Sequence, residues 1–438
     1  MRVKIEKLVY GGEGLAHSDG ATLFVPFVLP GEEAEVTAKE RNKKFSRCRL
    51  ENIVTRSVER IEPECPYFGV CGGCHYQHIP YDLQLRFKEQ ILRETLRRLG
   101  RIDWTDSIAV HPSPPFGYRN RAQWKIRSTD RIDRQTANSA NNNHLAGIGY
   151  FRASSSILCP VESCAILSPR LASLLEALRQ RVADHTLPQE IQEIEAFADS
   201  EDQKMLLNFS SSSIASRQKA FANEFSKSIE DVESVLLQKS VGDEMELSGP
   251  GYLNYTVGDK KFRVGHLSFF QVNRHLVEVL ARIVGAAAGN GKLAFDLYAG
   301  VGLLAAFIAD NFANVEAVEA DPAAARDLEI NLSSRGNISS HNLAADDFLS
   351  KHARRHANDS ADVVVVDPPR AGLEPAVLRA LLGIEPSRIV YVSCDPSTLA
   401  RDLAQFCAKI YKVAEVHLFD MFPQTYHIET MVRLERAS

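Results

Sequence analysis

The sequence predicts a multidomain α/β fold with an N-terminal small β-barrel, a central α/β domain and a C-terminal, largely parallel sheet. The length of 438 residues is enough for about three domains at roughly 150 residues each. The first 55 residues contain short alternating runs separated by turn residues, which favours a small barrel. From residue 266 onward, strand-like and helix-like segments alternate, which favours a parallel sheet. We therefore expect domains over residues 1–55, 56–265 and 266–438.

The composition is that of an ordinary globular protein. Apolar residues make up 45% of the chain and charged residues 24%, which argues against extensive disorder. The net charge of -5 gives no global basic field, so a nucleic-acid partner would have to be bound by local patches. The longest uncharged apolar-rich stretch, residues 297–309, is shorter than the roughly 20 residues that cross a bilayer. The N-terminus has no apolar signal segment, so we expect a cytoplasmic protein.

Within the expected barrel, four segments alternate apolar and polar residues, and glycine-containing turns separate them. These segments are residues 3–9, 22–28, 33–38 and 46–54. The later part, residues 39–49, has six basic residues and one acidic residue. Two interpretations of this basic stretch stay open. It is either a solvated strand edge that resists aggregation or a surface that follows the backbone of an oligonucleotide.

The central region combines a basic amphipathic helix with strands. Residues 81–100 have leucine and isoleucine at helical spacing, with arginine and lysine at the other positions. Residues 118–127 are expected to form a strand in which aromatic residues lie among cations, a composition that suits contact with RNA. Residues 128–144 are polar and are expected to form a loop, whereas residues 171–182 predict a helix.

The C-terminal region predicts six strands of one sheet, separated mostly by helices. The strands are expected at residues 293–297, 315–319, 362–366, 388–393, 413–418 and 427–434. The loop between the last two is too short for a crossover helix, so we expect these strands to pair antiparallel at one edge of the sheet.

A glycine-rich turn directly follows the first of these strands. Gly300 and Gly302 allow the backbone to approach a ligand closely, and Glu319 ends the next strand, where it can accept hydrogen bonds from a ribose. This motif alone fits a nicotinamide dinucleotide and S-adenosylmethionine equally well. A later strand ends in Asp367 and two prolines, which place an acid and a rigid backbone beside the ligand crevice. A nicotinamide dehydrogenase does not need this second motif, which favours S-adenosylmethionine.

A cysteine lies at the end of the following strand. Cys394 is flanked by Ser393 and Asp395 and is expected at the crevice where open α/β sheets bind ligands. A lone cysteine is most often a small core residue. Its position at a strand terminus favours a nucleophile instead.

Three of the eight cysteines lie within ten residues, which is typical of a metal site in a protein from a reducing compartment. Cys65, Cys71 and Cys74, with a more distant fourth thiolate, could hold tetrahedral zinc or an iron–sulfur cluster. On spacing alone, zinc is the more frequent outcome.

Several motifs, taken in order, resemble those of the RNA 5-methyluridine methyltransferases of the RumA/TrmA type. They lie at residues 296–302, 367–372, 393–396 and 427–430. Residues 11–16 and 25–31 are similar to the OB-like TRAM barrel of the 23S ribosomal RNA members, and residues 65–78 to their iron–sulfur segment. The resemblance covers nearly the whole chain. It implies a Rossmann-like methyltransferase sheet and S-adenosylmethionine-dependent methylation of carbon 5 of a uridine in RNA.

The resemblance also implies roles for individual residues. Cys394 matches the nucleophile that adds to carbon 6 of uracil, and Glu429 matches the general base. Leu303 stands where many members have a polar residue such as Asn. The contacts to the cofactor match four positions, Gln271, Tyr298, Glu319 and Asp367.

For the cysteines, the resemblance implies a 4Fe–4S cluster with the ligands Cys65, Cys71, Cys74 and Cys164. Cys164 is chosen over Cys159 because the fourth cysteine of the family precedes an Ile-Leu-x-Pro run, and such a run follows Cys164.

The barrel and the cluster together imply 23S ribosomal RNA as the partner, with the target uridine flipped out of a single-stranded or loop region. Three alternatives are the same chemistry on transfer RNA, a non-catalytic RNA-binding protein, and a zinc-bearing nicotinamide enzyme. No membrane and no protein partner is implied.

Overall fold

The computed structural model describes residues 1–18, 20–41, 45–127, 147–229, 231–355 and 360–437. These residues form three large sheets with flanking helices and one separate two-stranded hairpin. Within this part of the chain, no helix is long and apolar enough to cross a membrane.

The N-terminal sheet has six strands in the order β1-β5-β6-β4-β3-β2. Their bounds are β1 Arg2–Lys4, β2 Lys7–Leu8, β3 Glu13–Ser18, β4 Ala21–Pro26, β5 Glu33–Arg41 and β6 Phe45–Thr55. The alternating pattern places one face of these strands in a shared core that includes Val25, Ala34 and Val36. The first predicted strand, residues 3–9, is divided between β1 and β2, and β3 is an additional strand.

Helix α1 (Tyr81–Gly100) and the short strand β7 (Ala109–His111) come next in the chain. A seven-stranded central sheet follows, in the order β10-β9-β8-β11-β12-β13-β14. Its elements are β8 Arg121–Arg127, β9 Gly147–Phe151, β10 Leu158–Pro160, α2 Pro169–Ala183, β11 Ile191–Ala198, β12 Met205–Ser211, α3 Ser216–Ser228, β13 Val232–Lys239 and β14 Met245–Ser248. The hairpin of β15 (Tyr252–Val257) and β16 (Lys260–Gly265) leads into the C-terminal region.

The C-terminal sheet has eight strands in the order β19-β18-β17-β20-β21-β23-β22-β7. Its strands are β17 Gly291–Leu297, β18 Phe312–Glu319, β19 Ile338–Asn342, β20 Val363–Val366, β21 Arg388–Ser393, β22 Tyr411–Phe419 and β23 Glu429–Arg436. Its helices are α4 Val277–Ala288, α5 Leu303–Ile308, α6 Pro322–Leu332, α7 Ala345–Arg355, α8 Pro375–Ile384 and α9 Pro396–Cys407. β17 to β21 are parallel, whereas β22 and β23 pair antiparallel, as the short connection predicted.

The C-terminal sheet extends beyond the boundary expected at residue 265. β7 pairs in parallel with β22, so β7 and not β22 is the edge strand. Ile91 and Leu92 of α1 share a hydrophobic core with Leu399 and Leu403 of α9. Residues 81–111, expected in the central domain, therefore pack with the C-terminal sheet. A strand of three residues is too short for a periodic signal, which is why the sequence did not indicate this pairing.

The expectation that residues 118–127 contact RNA through aromatic side chains is wrong for Trp124. Trp124 is fully buried, so its ring is not available to stack on a base. Arg121 lies over the ring of Phe197, and Lys125 forms an ion pair with Glu193. These contacts follow from topology, because β8 is an interior strand between β9 and β11.

The other basic stretch, residues 39–49, remains a candidate RNA surface. Lys43 and Lys44 lie outside the described residues. Arg47 lies 3.4 Å from the carboxylate of Glu13, and the side chains of both Arg47 and Arg49 are more than half exposed. Exposed pairs of this kind are worth about 0–1 kcal/mol, so phosphate groups can compete for both arginines.

Candidate active site

The predicted site residues lie along the edge of the C-terminal sheet where its parallel strands end. Tyr298 directly follows β17, Glu319 ends β18, Asp367 follows β20 and Cys394 follows β21. Glu429 begins β23, the strand that pairs with β21. Ligands of open α/β sheets bind at this edge.

Two glycines form the turn after β17. The φ angles are +56° at Gly300 and +92° at Gly302, a region that strains residues with a side chain. Glu319 holds the turn, because its Oε2 accepts a hydrogen bond of 2.8 Å from the Gly300 amide. Its Oε1 accepts one of 2.8 Å from the amide of Asp321. Each carboxylate oxygen has a further lone pair, so Glu319 retains the capacity to accept a hydrogen bond from a ribose hydroxyl.

Tyr298 combines an unusual backbone with an unsatisfied hydroxyl. Its φ of +64° is uncommon for tyrosine. Its hydroxyl oxygen is buried and has no hydrogen-bond partner among the described residues. Burial also raises the pKa of this hydroxyl. An unpaired buried hydroxyl costs free energy, which a ligand that bonds it would recover.

Leu303, which stands where the resemblance implies a polar residue, provides no polar contact at this turn. It begins α5 and packs into the hydrophobic core, with 7% of its surface exposed. A cofactor at this turn would therefore meet backbone groups here rather than a polar side chain.

Cys394 is a protonated thiol in this environment. Burial raises its pKa to about 12, and the nearby carboxylates of Glu429 and Asp367 raise it as well. Arg370 opposes them, because its guanidinium is hydrogen-bonded to the thiol and favours the charged form. Formation of the thiolate therefore requires a base that accepts the proton, and the positive charge of Arg370 favours the thiolate once it has formed.

Buried Glu429 and half-buried Asp367 are two carboxyls close enough for their charges to interact. Burial raises the pKa of Glu429 well above its usual value, and the Asp367 carboxylate raises it further. Burial likewise raises the pKa of Asp367. A raised carboxyl pKa suits a general base, since a carboxylate of ordinary pKa holds a proton too weakly near neutral pH.

Sequence reasoning assigned no role to two residues that lie in this site. Arg370 is the cation next to the thiol. Its position three residues after Asp367, in the same motif, could have indicated that it lies in the site. Asp296 is fully buried near the end of β17. Burial, together with the charges of Asp367 and Glu319, raises the pKa of Asp296. Both of its carboxylate oxygens are buried without a hydrogen-bond partner among the described residues.

The loop before Glu429 forms hydrogen bonds with α1 and with the segment that follows the cysteines. Lys88 of α1 donates a hydrogen bond of 2.6 Å to the Asp420 carboxylate and one of 3.1 Å to the Phe422 carbonyl. The Gln84 side chain also donates to Gln424 Oε1 and accepts from the Gln424 amide. The backbone amide of His75, which follows the cysteine segment, donates to the Gln424 carbonyl at 2.8 Å.

Gln271 lies at the margin of this arrangement. It is half-buried in the connection between β16 and α4. Two residues later, Asn273 donates a hydrogen bond of 3.2 Å to the Met421 carbonyl, which ties this connection to the loop before Glu429. No described contact joins the Gln271 side chain to the other predicted cofactor residues, so its role remains a prediction.

A second cluster of predicted residues lies apart from the sheet edge. Cys65, Cys71, Cys74 and Cys164 all line one cavity of about 240 Å³. Cys159 is buried in β10 and is absent from the residues that line it. Burial raises the pKa of Cys71 to about 11 and that of Cys74 to about 12. Metal binding would have to displace these protons.

The geometry of the thiols distinguishes two kinds of site. In the described ranges, no group of three or more His, Cys, Asp or Glu side chains is placed to hold a metal ion. A tetrahedral zinc site needs four ligands around a single point at about 2.0–2.3 Å. A 4Fe–4S cluster instead takes four thiolates, each of which binds a different iron.

Comparison with known proteins identifies the family. Residues 80–437 match the tRNA (Uracil-5-)-methyltransferase family, and residues 1–50 match the TRAM domain. This chain belongs to the uracil-5-methyltransferase family. As a member, the methyltransferase binds S-adenosylmethionine and acts on RNA.

Relatives and a solved structure match over nearly the whole length of the methyltransferase. An uncharacterized RNA methyltransferase of Aquifex aeolicus is 31% identical over 450 residues, covering 99% of this chain and 98% of that protein. One of Halalkalibacterium halodurans is 30% identical over 99% of this chain and 96% of its own. The Pyrococcus abyssi tRNA (uracil-54, C5)-methyltransferase, in complex with S-adenosyl-L-homocysteine, has a TM-score of 0.75 and 25% identity, covering 99% of this chain and 100% of its own.

The pKa of Cys394 predicts how the free enzyme reacts with an alkylating agent. We expect alkylation of Cys394 by iodoacetamide to rise about tenfold per pH unit from pH 7 to 9, because the thiolate fraction does so below the pKa. Arg370→Gln removes a charge that favours the thiolate and should slow the reaction by roughly three- to tenfold at each pH. Peptide-resolved mass spectrometry separates Cys394 from Cys407, whose rate serves as the internal control. A plateau below pH 8 would show that the thiol is already ionised.

Proposed function

We propose that this methyltransferase methylates carbon 5 of a uridine in RNA through a covalent bond between Cys394 and carbon 6 of the uracil. The observation that supports this proposal is the grouping of a thiol, a guanidinium and two carboxyls at one end of the sheet. Cys394, Arg370, Asp367 and Glu429 are close enough that each charge affects the thiol pKa.

The proposed reaction requires a nucleophile that adds to carbon 6 of uracil and is later expelled. Carbon 5 of uracil is a weak nucleophile until a group adds to carbon 6 and converts the ring to an enolate. The Cys394 thiolate is nucleophilic enough to add and stable enough to be expelled afterwards. Arg370 favours the thiolate at the moment of attack. S-adenosylmethionine supplies the methyl group as a sulfonium methyl.

The carboxyl of Glu429 acts in the second half of the reaction. Once carbon 5 carries the methyl group, it still bears its hydrogen. Glu429 removes that hydrogen as a proton, the electron pair forms the double bond between carbons 5 and 6, and the bond from carbon 6 to Cys394 breaks. Burial of Glu429 supports this role, since its raised pKa strengthens it as a base.

The cofactor is proposed to lie between the glycine turn and the end of β20. Tyr298 has a buried hydroxyl without a described partner, and Glu319 has acceptor capacity beside the turn. Asp367 lies next to the thiol, where it would contact both the cofactor and the uracil. Gln271 completes the proposed set on the strength of the family resemblance alone.

The cysteine cavity is proposed to hold a 4Fe–4S cluster. Cys65, Cys71, Cys74 and Cys164 line it together, and four thiolates around one space are the donor set of a cubane cluster. Cys159 is a matched residue for comparison, because it is a nearby buried cysteine outside the lining.

For the RNA, we propose 23S ribosomal RNA, with the uridine flipped into the site. The support is the resemblance of the N-terminal domain and the cysteine segment to the ribosomal RNA members. A second candidate, transfer RNA, is favoured by one finding. The Pyrococcus abyssi enzyme, which acts on uracil-54 of tRNA, is similar over 99% of this chain, including the N-terminal sheet.

The order of the two chemical steps can be tested by trapping. Glu429→Gln should still form the adduct but release it about 100- to 10,000-fold more slowly, because a positioned base is worth that factor in its own step. The variant should accumulate a protein–RNA species that survives denaturation and contains label from methyl-labelled cofactor. Cys394→Ala should give no such species and no turnover, yet should bind the cofactor normally. Free turnover by Glu429→Gln would assign the base to another residue.

Wild-type enzyme should form the same adduct on RNA containing 5-fluorouridine, since fluorine cannot leave as a proton. Denaturing gels and peptide mapping should place the RNA on Cys394. Absence of an adduct on this substrate would refute the nucleophilic role of Cys394.

The cluster assignment predicts metal content independently of activity. Protein purified without oxygen should be brown and contain about four irons per chain. Cys164→Ser should abolish the colour and most of the iron, whereas Cys159→Ser should retain both. Stoichiometric zinc without iron would overturn the assignment.

The RNA class is decided by mapping 5-methyluridine. A strain that lacks this gene should lose one 5-methyluridine from 23S ribosomal RNA, and restoring the gene should return it. Loss from transfer RNA instead, with ribosomal RNA unchanged, would establish the second candidate.

A further inference from the structure

The N-terminal domain is packed into the catalytic domain rather than tethered to it. Leu8 and Leu29 are buried in the same hydrophobic core as Leu399 and Leu403 of α9. Lys7 forms an ion pair with Glu94 of α1. The turn between β2 and β3 is thereby fixed against the helix that begins next to Cys394.

That turn has little freedom to move. The Val9 amide donates to the Glu13 carbonyl at 2.9 Å, and the Gly12 amide to the Val9 carbonyl at 3.3 Å. Gly12 has a φ of +84° and lies so close to the loop before Glu429 that a Cβ would be 3.0 Å from Tyr426 Cδ1. A side chain at this position would strain the backbone and require Tyr426 or His75 to shift by a few tenths of an ångström.

Tyr10, in this turn, reaches the nucleophile loop. Its hydroxyl donates a hydrogen bond of 3.2 Å to Asp395 Oδ2 and lies 3.5 Å from the carbonyl oxygen of Cys394. Its ring contacts the ring of Tyr426 edge-on, with centroids 5.6 Å apart. One side chain of the RNA-binding domain thus touches both the segment with the nucleophile and the segment with the base.

Asp395 connects this contact to the helix. Its Oδ1 accepts hydrogen bonds from the amides of Ser397 at 2.8 Å and Thr398 at 3.2 Å, which caps the N-terminus of α9. Its other oxygen is the one that receives the Tyr10 hydroxyl. The orientation of the carboxylate, and of the backbone at Cys394 beside it, is therefore fixed from both domains.

We propose that Tyr10 is a positioning residue through which the N-terminal domain holds the Cys394 loop in the geometry for attack on carbon 6. This inference rests on the proposed role of Cys394 as the nucleophile. It explains why the domain is docked at this loop. RNA bound by the N-terminal domain and the thiol that attacks it are held in a single rigid frame, so a small displacement of the domain would misplace the nucleophile.

The test removes only the hydroxyl, with Tyr10→Phe, and keeps the ring contact with Tyr426. Under single-turnover conditions with saturating RNA and cofactor, we expect adduct formation on 5-fluorouridine RNA and methyl transfer to normal RNA both to slow about tenfold, the effect of one hydrogen bond to a charged group. The Kd values for RNA and S-adenosylmethionine should not change. Tyr411→Phe removes a hydroxyl that donates a hydrogen bond of 2.8 Å to the Pro386 carbonyl in the C-terminal domain, and it should leave both rates unchanged.

A double-mutant cycle tests whether Tyr10 acts through Asp395. After Asp395→Asn, the additional change Tyr10→Phe should slow the reaction by less than about twofold, because the interaction has already been weakened. Multiplicative effects of the two changes would overturn the proposal. So would a wild-type rate for Tyr10→Phe, or a loss confined to RNA affinity, which would make Tyr10 an RNA contact.

Failure of the proposed function gives a different result. If wild-type enzyme forms no adduct on 5-fluorouridine RNA, Cys394 is not the nucleophile, and the Tyr10 effect is then measured by methyl transfer alone. In that case a tenfold slower transfer by Tyr10→Phe, with unchanged affinities, still supports positioning of this loop. An unchanged transfer rate refutes it.

Discussion

The ion pair between Lys88 and Asp420 is the constraint on which the arrangement of the site depends. Both side chains are fully buried, and Lys88 Nζ lies 2.6 Å from Asp420 Oδ1. Burial lowers the pKa of Lys88, and the Asp420 carboxylate opposes that shift. Breaking such a pair leaves an uncompensated buried charge, at a cost of about 3–5 kcal/mol. The pair therefore locks α1 to the loop that leads into Glu429.

Residues from several other parts of the chain also contact the loop before Glu429. Gln84 of α1 brackets Gln424, and His75 after the cysteine segment bonds the same residue. Asn273, in the connection from β16 to α4, bonds Met421. Tyr10 of the N-terminal domain packs against Tyr426. The position of Glu429 is consequently set by residues that are distant in sequence, so the three expected domains form one functional unit rather than a catalytic module with appendages.

Local sequence patterns predicted most helices and strands and the motifs at the candidate site, but not the long-range contacts. The six predicted strands of the C-terminal sheet and the helix at Tyr81–Gly100 are confirmed, because their periodicity depends on residues near in sequence. The pairing of β7 with β22 and the contact of Tyr10 with Asp395 join segments more than 300 residues apart. No period within either segment encodes them. Trp124 was misjudged for a related reason, since a strand does not reveal which distant elements pack on its face. Here Trp124 shares a buried core with Leu171 and Leu175 of α2.

The buried acids of this protein differ in the partners that surround them. Four of them have a cation or a hydroxyl donor that accounts for their burial. These pairs are Glu32 with Arg60, Asp327 with Arg263, Asp402 with Tyr391, and Asp420 with Lys88. Asp296, Asp367 and Glu429 instead lie near one another, and burial raises the pKa of each. Arg370 opposes this shift at Glu429.

Gathering like charges in a dry site opposes folding, because burial and mutual repulsion both disfavour the ionised forms. Such an arrangement persists only where the surrounding structure determines it, as the packed strands and the Lys88 pair do here. Arg370 is the one cation assigned to this group by its effect on pKa in the described residues, and it acts on Cys394 as well as on Glu429. The positive charge of Arg370 thus favours the charged form of both the Cys394 thiol and the Glu429 carboxyl. Perturbed pKa values of this kind are typical of functional sites, and here they occur where parallel strands end, the edge at which open α/β sheets bind ligands.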